Sequence, residues 1–224
     1  MGEACQPLLV SIYRQYLADK DGDAFSRRVV EKYLPASLER VLATGQRAAR
    51  RAAALALGLL GDYRSNAALG RALGDQDRTV RLLAETALRA VWCRDGRPAV
   101  RKRLAGVIHF NGQRQHREAL ASADELIARA PELAEAWNQR AIAQFGLQQY
   151  QGAIRDCQRA VQLNAYHFGA LAGMGQCYLR LDDDLSALEN FRRALAVNPE
   201  LDGVRSSISM IERRMKKQSG SEGA

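Results

Sequence analysis

The chain has 224 residues, 47% of them apolar and 26% charged, with a formal net charge of +8 and four cysteines. This composition excludes a largely disordered chain and leaves room for one elongated body or two modest domains. The excess positive charge lies entirely in the first half: residues 1–103 carry 19 Lys and Arg against 11 Asp and Glu, whereas residues 104–224 carry 14 of each.

At the start, "MGEACQPLLVSIYRQYLADK" has no basic segment before its apolar residues and carries an acid at Glu3, so no secretory signal is expected. "MGEACQ" also lacks the hydroxyl residue of an N-myristoylation site. Residues 52–61 form an uncharged run of ten, about 15 Å of helix against the roughly 30 Å of a bilayer core, so no membrane span is expected. The chain reads as cytoplasmic. Cys5, Cys93, Cys157 and Cys177 are scattered without a CxxC pair and read as reduced, mostly buried small side chains. No cofactor or metal is expected.

Sliding the chain by 31 residues lays "ASLERVLATGQRAARRAAALAL" on "AALGRALGDQDRTVRLLAETAL" with nine identities, among them Arg47/Arg78, Arg50/Arg81, Ala56/Ala87 and Leu57/Leu88. Their spacing predicts helix pairs joined by the polar turns "GDYRS" and "GDQDR". Residues 52–61 are then a helix buried by its neighbours, not a phosphate loop, since "GLLGDYRSN" lacks the strand before it and the Lys-Ser or Lys-Thr after it. "RRAAALALGLLGD", "ALGRALGDQD" and the following "VR" resemble the short bacterial HEAT repeat of phycobilisome lyase subunits, over about residues 25–95. In that family a turn Asp and an Arg six positions later form a ladder between repeats. Asp75 and Arg81 match it, while the earlier copy has Thr44 opposite Arg50, leaving half the ladder missing.

After "DGRP" at 95–98 the period becomes 34. Residues 134–167 and 168–201 share Ala136/Ala170, Leu147/Leu181, Ala153/Ala187, Arg159/Arg193, Ala160/Ala194 and Asn164/Asn198, the small and apolar positions where antiparallel helices cross. Leu171, Met174, Gly175, Tyr178, Ala187, Phe191, Ala194 and Pro199 in the last copy are similar to the tetratricopeptide repeat. The middle copy keeps Trp137, Ala141, Ala153 and Ala160, and a degenerate copy over 100–133 keeps Phe110, Ala119 and Pro131. Residues 202–217 read as a capping helix and 218–224 as a disordered tail. The fold class expected is all-α: a right-handed helical-repeat solenoid, HEAT-like repeats over 1–97 followed by three tetratricopeptide-like repeats over 98–201.

No catalytic constellation stands out. "LDDDLS" at 181–186 falls at a turn and reads as a helix cap, lacking the spaced ligands of a calcium loop. Trp92 and Trp137 fall on apolar helix faces and read as core. The resemblance to the tetratricopeptide family implies a peptide- or protein-binding groove lined by the first helix of each repeat. Its candidates here are Arg101, Leu104, Ile108, Asn138, Gln139, Ile142, Phe145, Ala172, Gln176 and Leu179. Some members grip a chaperone's C-terminal carboxylate through a Lys and Asn clamp. The matching positions here hold Leu104, Ile108, Gln139, Gly169 and Gly173, so the resemblance implies a more apolar ligand, bound through Ile142 and Phe145.

The function expected is a non-enzymatic bacterial adaptor with a protein or peptide partner. The alternative is nucleic-acid association through a basic face of Arg47, Arg51, Arg71 and Arg78, in which the 31-residue repeat that sets Arg47 against Arg78 would align phosphate contacts. A third reading, an accessory subunit for attaching a chromophore, follows only from the lyase resemblance.

Overall fold

The computed structural model describes residues 8–221, with side chains to Lys217. Thirteen α-helices and a single 3-10 turn (Tyr63–Ser65) account for most of them, and no strand occurs among the described residues. The chain divides into two compact units, Met1–Asp95 and Gly96–Ala224.

The first unit holds α1 (Leu8–Asp19), α2 (Gly22–Val30), α3 (Pro35–Thr44), α4 (Arg47–Leu60), α5 (Asn66–Ala72) and α6 (Arg78–Cys93). Its start signals are those the sequence offers. The Asp21 carboxylate accepts from the Ala24 N–H at 2.9 Å, Pro35 opens α3, and the Asp77 carboxylate accepts from the Val80 N–H at 3.1 Å. Helix α4 is the core of the unit: Ala52, Ala53, Ala54, Ala56 and Leu57 are fully buried. Small residues let α6 come close, and a Cβ on Gly58 would sit 3.0 Å from Ala87 Cβ. Arg94 then closes α4 from below, donating to the carbonyls of Gly58 (2.7 Å) and Gly61 (3.1 Å), which have no partner inside the helix. Trp92 is buried as expected, with its indole N–H donated to Asn66 Oδ1 at 2.7 Å.

The arginine ladder runs from one copy to the next. Asp75 does not bind the Arg81 side chain through its carboxylate; it receives a bidentate pair from Arg50 of the preceding copy, at 2.7 and 2.9 Å. Arg81 instead donates to the backbone carbonyl of Asp75 at 2.8 Å. A residue six positions away on the same helix start reaches the turn's carbonyls, whereas the parallel helix next door presents its guanidinium to the carboxylate. Thr44 takes no part in the ladder; its hydroxyl donates to the Arg40 carbonyl.

The second unit holds α7 (Pro98–Gly112), α8 (His116–Arg129), α9 (Ala134–Gly146), α10 (Tyr150–Leu163), α11 (Phe168–Arg180), α12 (Asp184–Val197) and α13 (Asp202–Ser221). Helices α7/α8, α9/α10 and α11/α12 are three antiparallel pairs whose turns repeat at 34 residues. Arg114, Gln148 and Asp182 adopt φ of 59°, 61° and 58°, and the next residue's N–H returns to the carbonyls of Phe110, Gln144 and Tyr178 at 2.9, 2.8 and 3.0 Å. This is a left-handed helix C-terminus built without glycine at the left-handed position. Asp183 caps α12 by accepting from the Ser186 N–H at 3.0 Å, and Asp184 is bound by Arg214, so the "DDD" run is structural. Gly175 lies under Phe191, whose ring atoms would stand 2.5–2.9 Å from an added Cβ.

One expectation is corrected here. The last helix runs to Ser221 instead of ending at Lys217: once Ile211 is fully buried, extending a formed helix costs far less than starting one. The uncharged stretch 160–179 is longer than the run at 52–61, but the turn at 164–167 divides it between α10 and α11. No helix among the described residues is long and apolar enough to cross a membrane.

Candidate functional site

The first helices of the three pairs, α7, α9 and α11, lie side by side. Of the groove candidates, Ile142 is 42% exposed, Gln176 is exposed, and Arg101 and Phe145 are half-buried. Phe145 meets Tyr150 edge-on at 5.5 Å, and the Arg180 guanidinium lies over its outer face at 5.9 Å. These residues form an apolar spot with a cation beside it.

Other candidates turn inward. Leu104 is fully buried against Val107, Ala123 and Leu126, so it is core and not groove. Ile108, Ala172 and Leu179 are half-buried against the same kind of apolar neighbours. Gln139 is 9% exposed because both ends of its amide are used inside: Nε2 donates to Glu135 at 2.6 Å and Oε1 accepts from Asn111 at 2.9 Å. Asn138 donates to the same carboxylate at 3.2 Å.

Sequence reasoning missed the centre of that network. Glu135 and His167 are both buried and meet at 3.0 Å through Nε2. His167 Nδ1 accepts from the Ala170 N–H at 3.2 Å, which caps α11 and leaves the proton on Nε2 for Glu135. Burial alone would raise the Glu135 pKa. The hydrogen bond from His167, with those from the Gln139 and Asn138 amides, outweighs it and holds the carboxyl below its ordinary value. The signal was present in the alignment: at the position filled by Leu133 and Leu201 in the flanking copies, the middle copy has His167. A second missed centre is Arg140. It stacks on Trp137 at 4.8 Å and binds Asp156 through two 2.7 Å bonds and Asp124 through a third, which raises its pKa. Trp137 is half-buried between two core clusters, with its indole N–H on the Pro131 carbonyl.

Within the expected basic face, Arg51 is engaged by Asp77 at 2.6 and 2.8 Å, and that bond holds the Asp77 pKa at about 2. Arg47, Arg71 and Arg78 are exposed. Cys93 is exposed, against the expectation for a small buried side chain, because it faces out of the last turn of α6. Cys157 and Cys177 are buried thiols whose pKa values are raised by burial, that of Cys177 to about 11. Cys5 lies outside the described residues. No group of three His, Cys, Asp or Glu able to hold a metal occurs among the described residues. A polar hollow of about 560 Å³ opens between α10 and α12 over Met174 and Tyr178.

Residues 134–167, the pair α9/α10, match the tetratricopeptide repeat family model. A TPR repeat-containing protein of Rhizobium etli is 28% identical over 103 residues, 46% of this chain and 50% of that protein. Sperm-associated antigen 1 of Rattus norvegicus is 31% identical over 83 residues, 37% of this chain and 9% of that protein. The chain thus spans about half the length of the first relative and a small part of the second. Among solved structures, the first TPR domain of human RPAP3 superposes with a TM-score of 0.51 at 20% identity, covering 55% of this chain and 96% of that one. The first TPR of Spaghetti (RPAP3) bound to an HSP90 peptide gives 0.50 at 20% identity, covering 52% and 93%. The chain therefore contains a tetratricopeptide repeat within an all-helical repeat fold.

Proposed function

We propose that the protein is a non-enzymatic adaptor that binds a protein or peptide segment on the face of α7, α9 and α11. The observation that carries this reading is the exposed Ile142 beside Phe145 and Arg180, an apolar anchor point with a neighbouring cation on a row of adjacent helices. RPAP3, whose fold this unit shares, is known with an HSP90 peptide bound, which supports peptide binding as the use of such a face. The ligand here differs in chemistry. The clamp positions hold Leu104, Ile108, Gln139, Gly169 and Gly173, none cationic, and Leu104 and Gln139 are buried. The first unit, read as HEAT-like from its 31-residue period and the Arg50–Asp75 pair, supplies a second protein surface. The reading sets the adaptor in the bacterial cytosol, where buried thiols such as those of Cys157 and Cys177 stay reduced.

The test is a nuclease-treated pull-down from native lysate with the full chain and with Ile142→Ala/Phe145→Ala. The reading expects one or two near-stoichiometric proteins that the double substitution releases. Unchanged capture by the variant would refute the face, and enrichment that vanished with nuclease would transfer the function to the basic residues of the first unit.

A further inference from the structure

Helix α13 stands one period beyond α11. Met210 falls 34 residues after Gln176 and 68 after Ile142, so α13 holds the place of a further first helix. Its apolar side is spent inward: Val204 and Ile211 are buried, and Ile208 and Met215 pack against the same cluster of α11 and α12 side chains. Its outer side carries Met210, 51% exposed, with Arg213, Arg214 and Lys217 following at i+3, i+4 and i+7 around a hollow of about 430 Å³.

The charges on this helix are unevenly used. Arg205 is bound by Asp202, Arg214 by Asp184, and Glu212 by Arg192. Among the described residues Arg213 and Lys217 form no ion pair, and neither does Arg180 beside Phe145. The row from α9 to α13 therefore reads apolar (Ile142), cationic (Arg180), apolar (Met210), cationic (Arg213 and Lys217). Two helix-to-helix steps separate the apolar points by about 20 Å, the reach of about six residues of extended chain.

We infer that α13 is the far end of the ligand face and takes an acidic segment carrying two apolar anchors about six residues apart. This rests on the reading of the α7–α9–α11 face given above and names the chemistry of its ligand. The complementarity is direct: carboxylates meet Arg180, Arg213 and Lys217, and one apolar side chain seats on Ile142 and Phe145 while the other seats on Met210. A membrane surface fits less well, because α13 has turned its apolar side to α11 and α12 and keeps one exposed apolar residue for insertion.

The probe is a fluorescein-labelled decapeptide with leucines six positions apart and glutamates between and after them, with an all-glutamine counterpart. Anisotropy is read with the full chain at low ionic strength, and circular dichroism confirms that each variant keeps its helices. The acidic peptide should bind and weaken with salt. Arg213→Glu/Lys217→Glu, Met210→Ser and the glutamine peptide should each reduce affinity by about tenfold or more. If the charge-reversed pair stays within about twofold of the parent while Ile142→Ala/Phe145→Ala loses binding, the α13 inference falls and the original face stands. No binding to the peptide overturns it as well, whether or not the chain binds phosphatidylserine vesicles through Arg213. The lysate experiment then judges the face by itself.

Discussion

Replacing His167 by leucine tests whether the buried Glu135–His167 pair holds the second unit together. The flanking copies carry Leu133 and Leu201 at this position, so the pocket suits the side chain in size. The substitution removes the Ala170 cap, worth about 1 kcal/mol. It also takes one donor from a buried carboxylate, worth about 1.5–3 kcal/mol. Better apolar burial returns about 1 kcal/mol, so the net loss expected is about 2 kcal/mol. Urea unfolding followed by circular dichroism should show a lower midpoint at unchanged slope. Glu135→Gln leaves no buried charge to compensate, so on that background His167→Leu should cost at least ~1 kcal/mol less. The pH dependence has a fixed sign. The Glu135 pKa is lowered in the folded chain, so its contribution is fully present above the unfolded carboxyl value near ~4.3 and is lost as pH falls through the lower folded value. His167→Leu should shift the acid limb to higher pH. A His167→Leu protein within about 0.5 kcal/mol of the parent, or costs that simply add in the double variant, would refute the reasoning.

Gly175→Ala forces a Cβ into the Phe191 ring and should destabilise by about 1–3 kcal/mol, with Phe191→Leu recovering part of the loss in thermal unfolding. Arg50→Lys keeps the charge but cannot reproduce the paired bonds to Asp75. It should recover less than half of the stability that Arg50→Ala loses, measured by urea unfolding. Asp77, held at about 2 by Arg51, stabilises the chain above the ordinary carboxyl range and stops doing so as pH falls toward 2; Asp77→Asn should flatten that part of the stability profile. Cys157 and Cys177 should resist alkylation until the chain unfolds, as mass mapping of labelled thiols would show.

The sequence carried the helix pairs of the second unit because period and turn chemistry are local. The 34-residue spacing that aligned Leu147 with Leu181 is the spacing at which Gln148 and Asp182 turn left-handed. It did not carry the inside of the candidate face. Gln139 is polar and sits where a ligand-facing residue is expected, but its partners Glu135 and Asn111 come from its own helix and the one beside it, and together they bury it. Leu104 failed for the opposite reason: a first helix has two inner neighbours, and the periodicity alone does not say which apolar residue faces them. The Arg50–Asp75 pair spans 25 residues, which is the 31-residue period less the six between Asp75 and Arg81, so the ladder joins one copy's Arg to the next copy's Asp.

The two tryptophans have a practical consequence. Trp92 is sealed in the first unit with its indole on Asn66, while Trp137 sits half-covered in the second beneath the Arg140 guanidinium. Each unit thus contains its own chromophore, one in a dry setting and one beside a charge, and their emission should differ in colour and quenching. Trp137→Phe would leave fluorescence that reports on the first unit alone, and Trp92→Phe the reverse. A pair of melting curves recorded by light would then resolve which half of the chain gives way first.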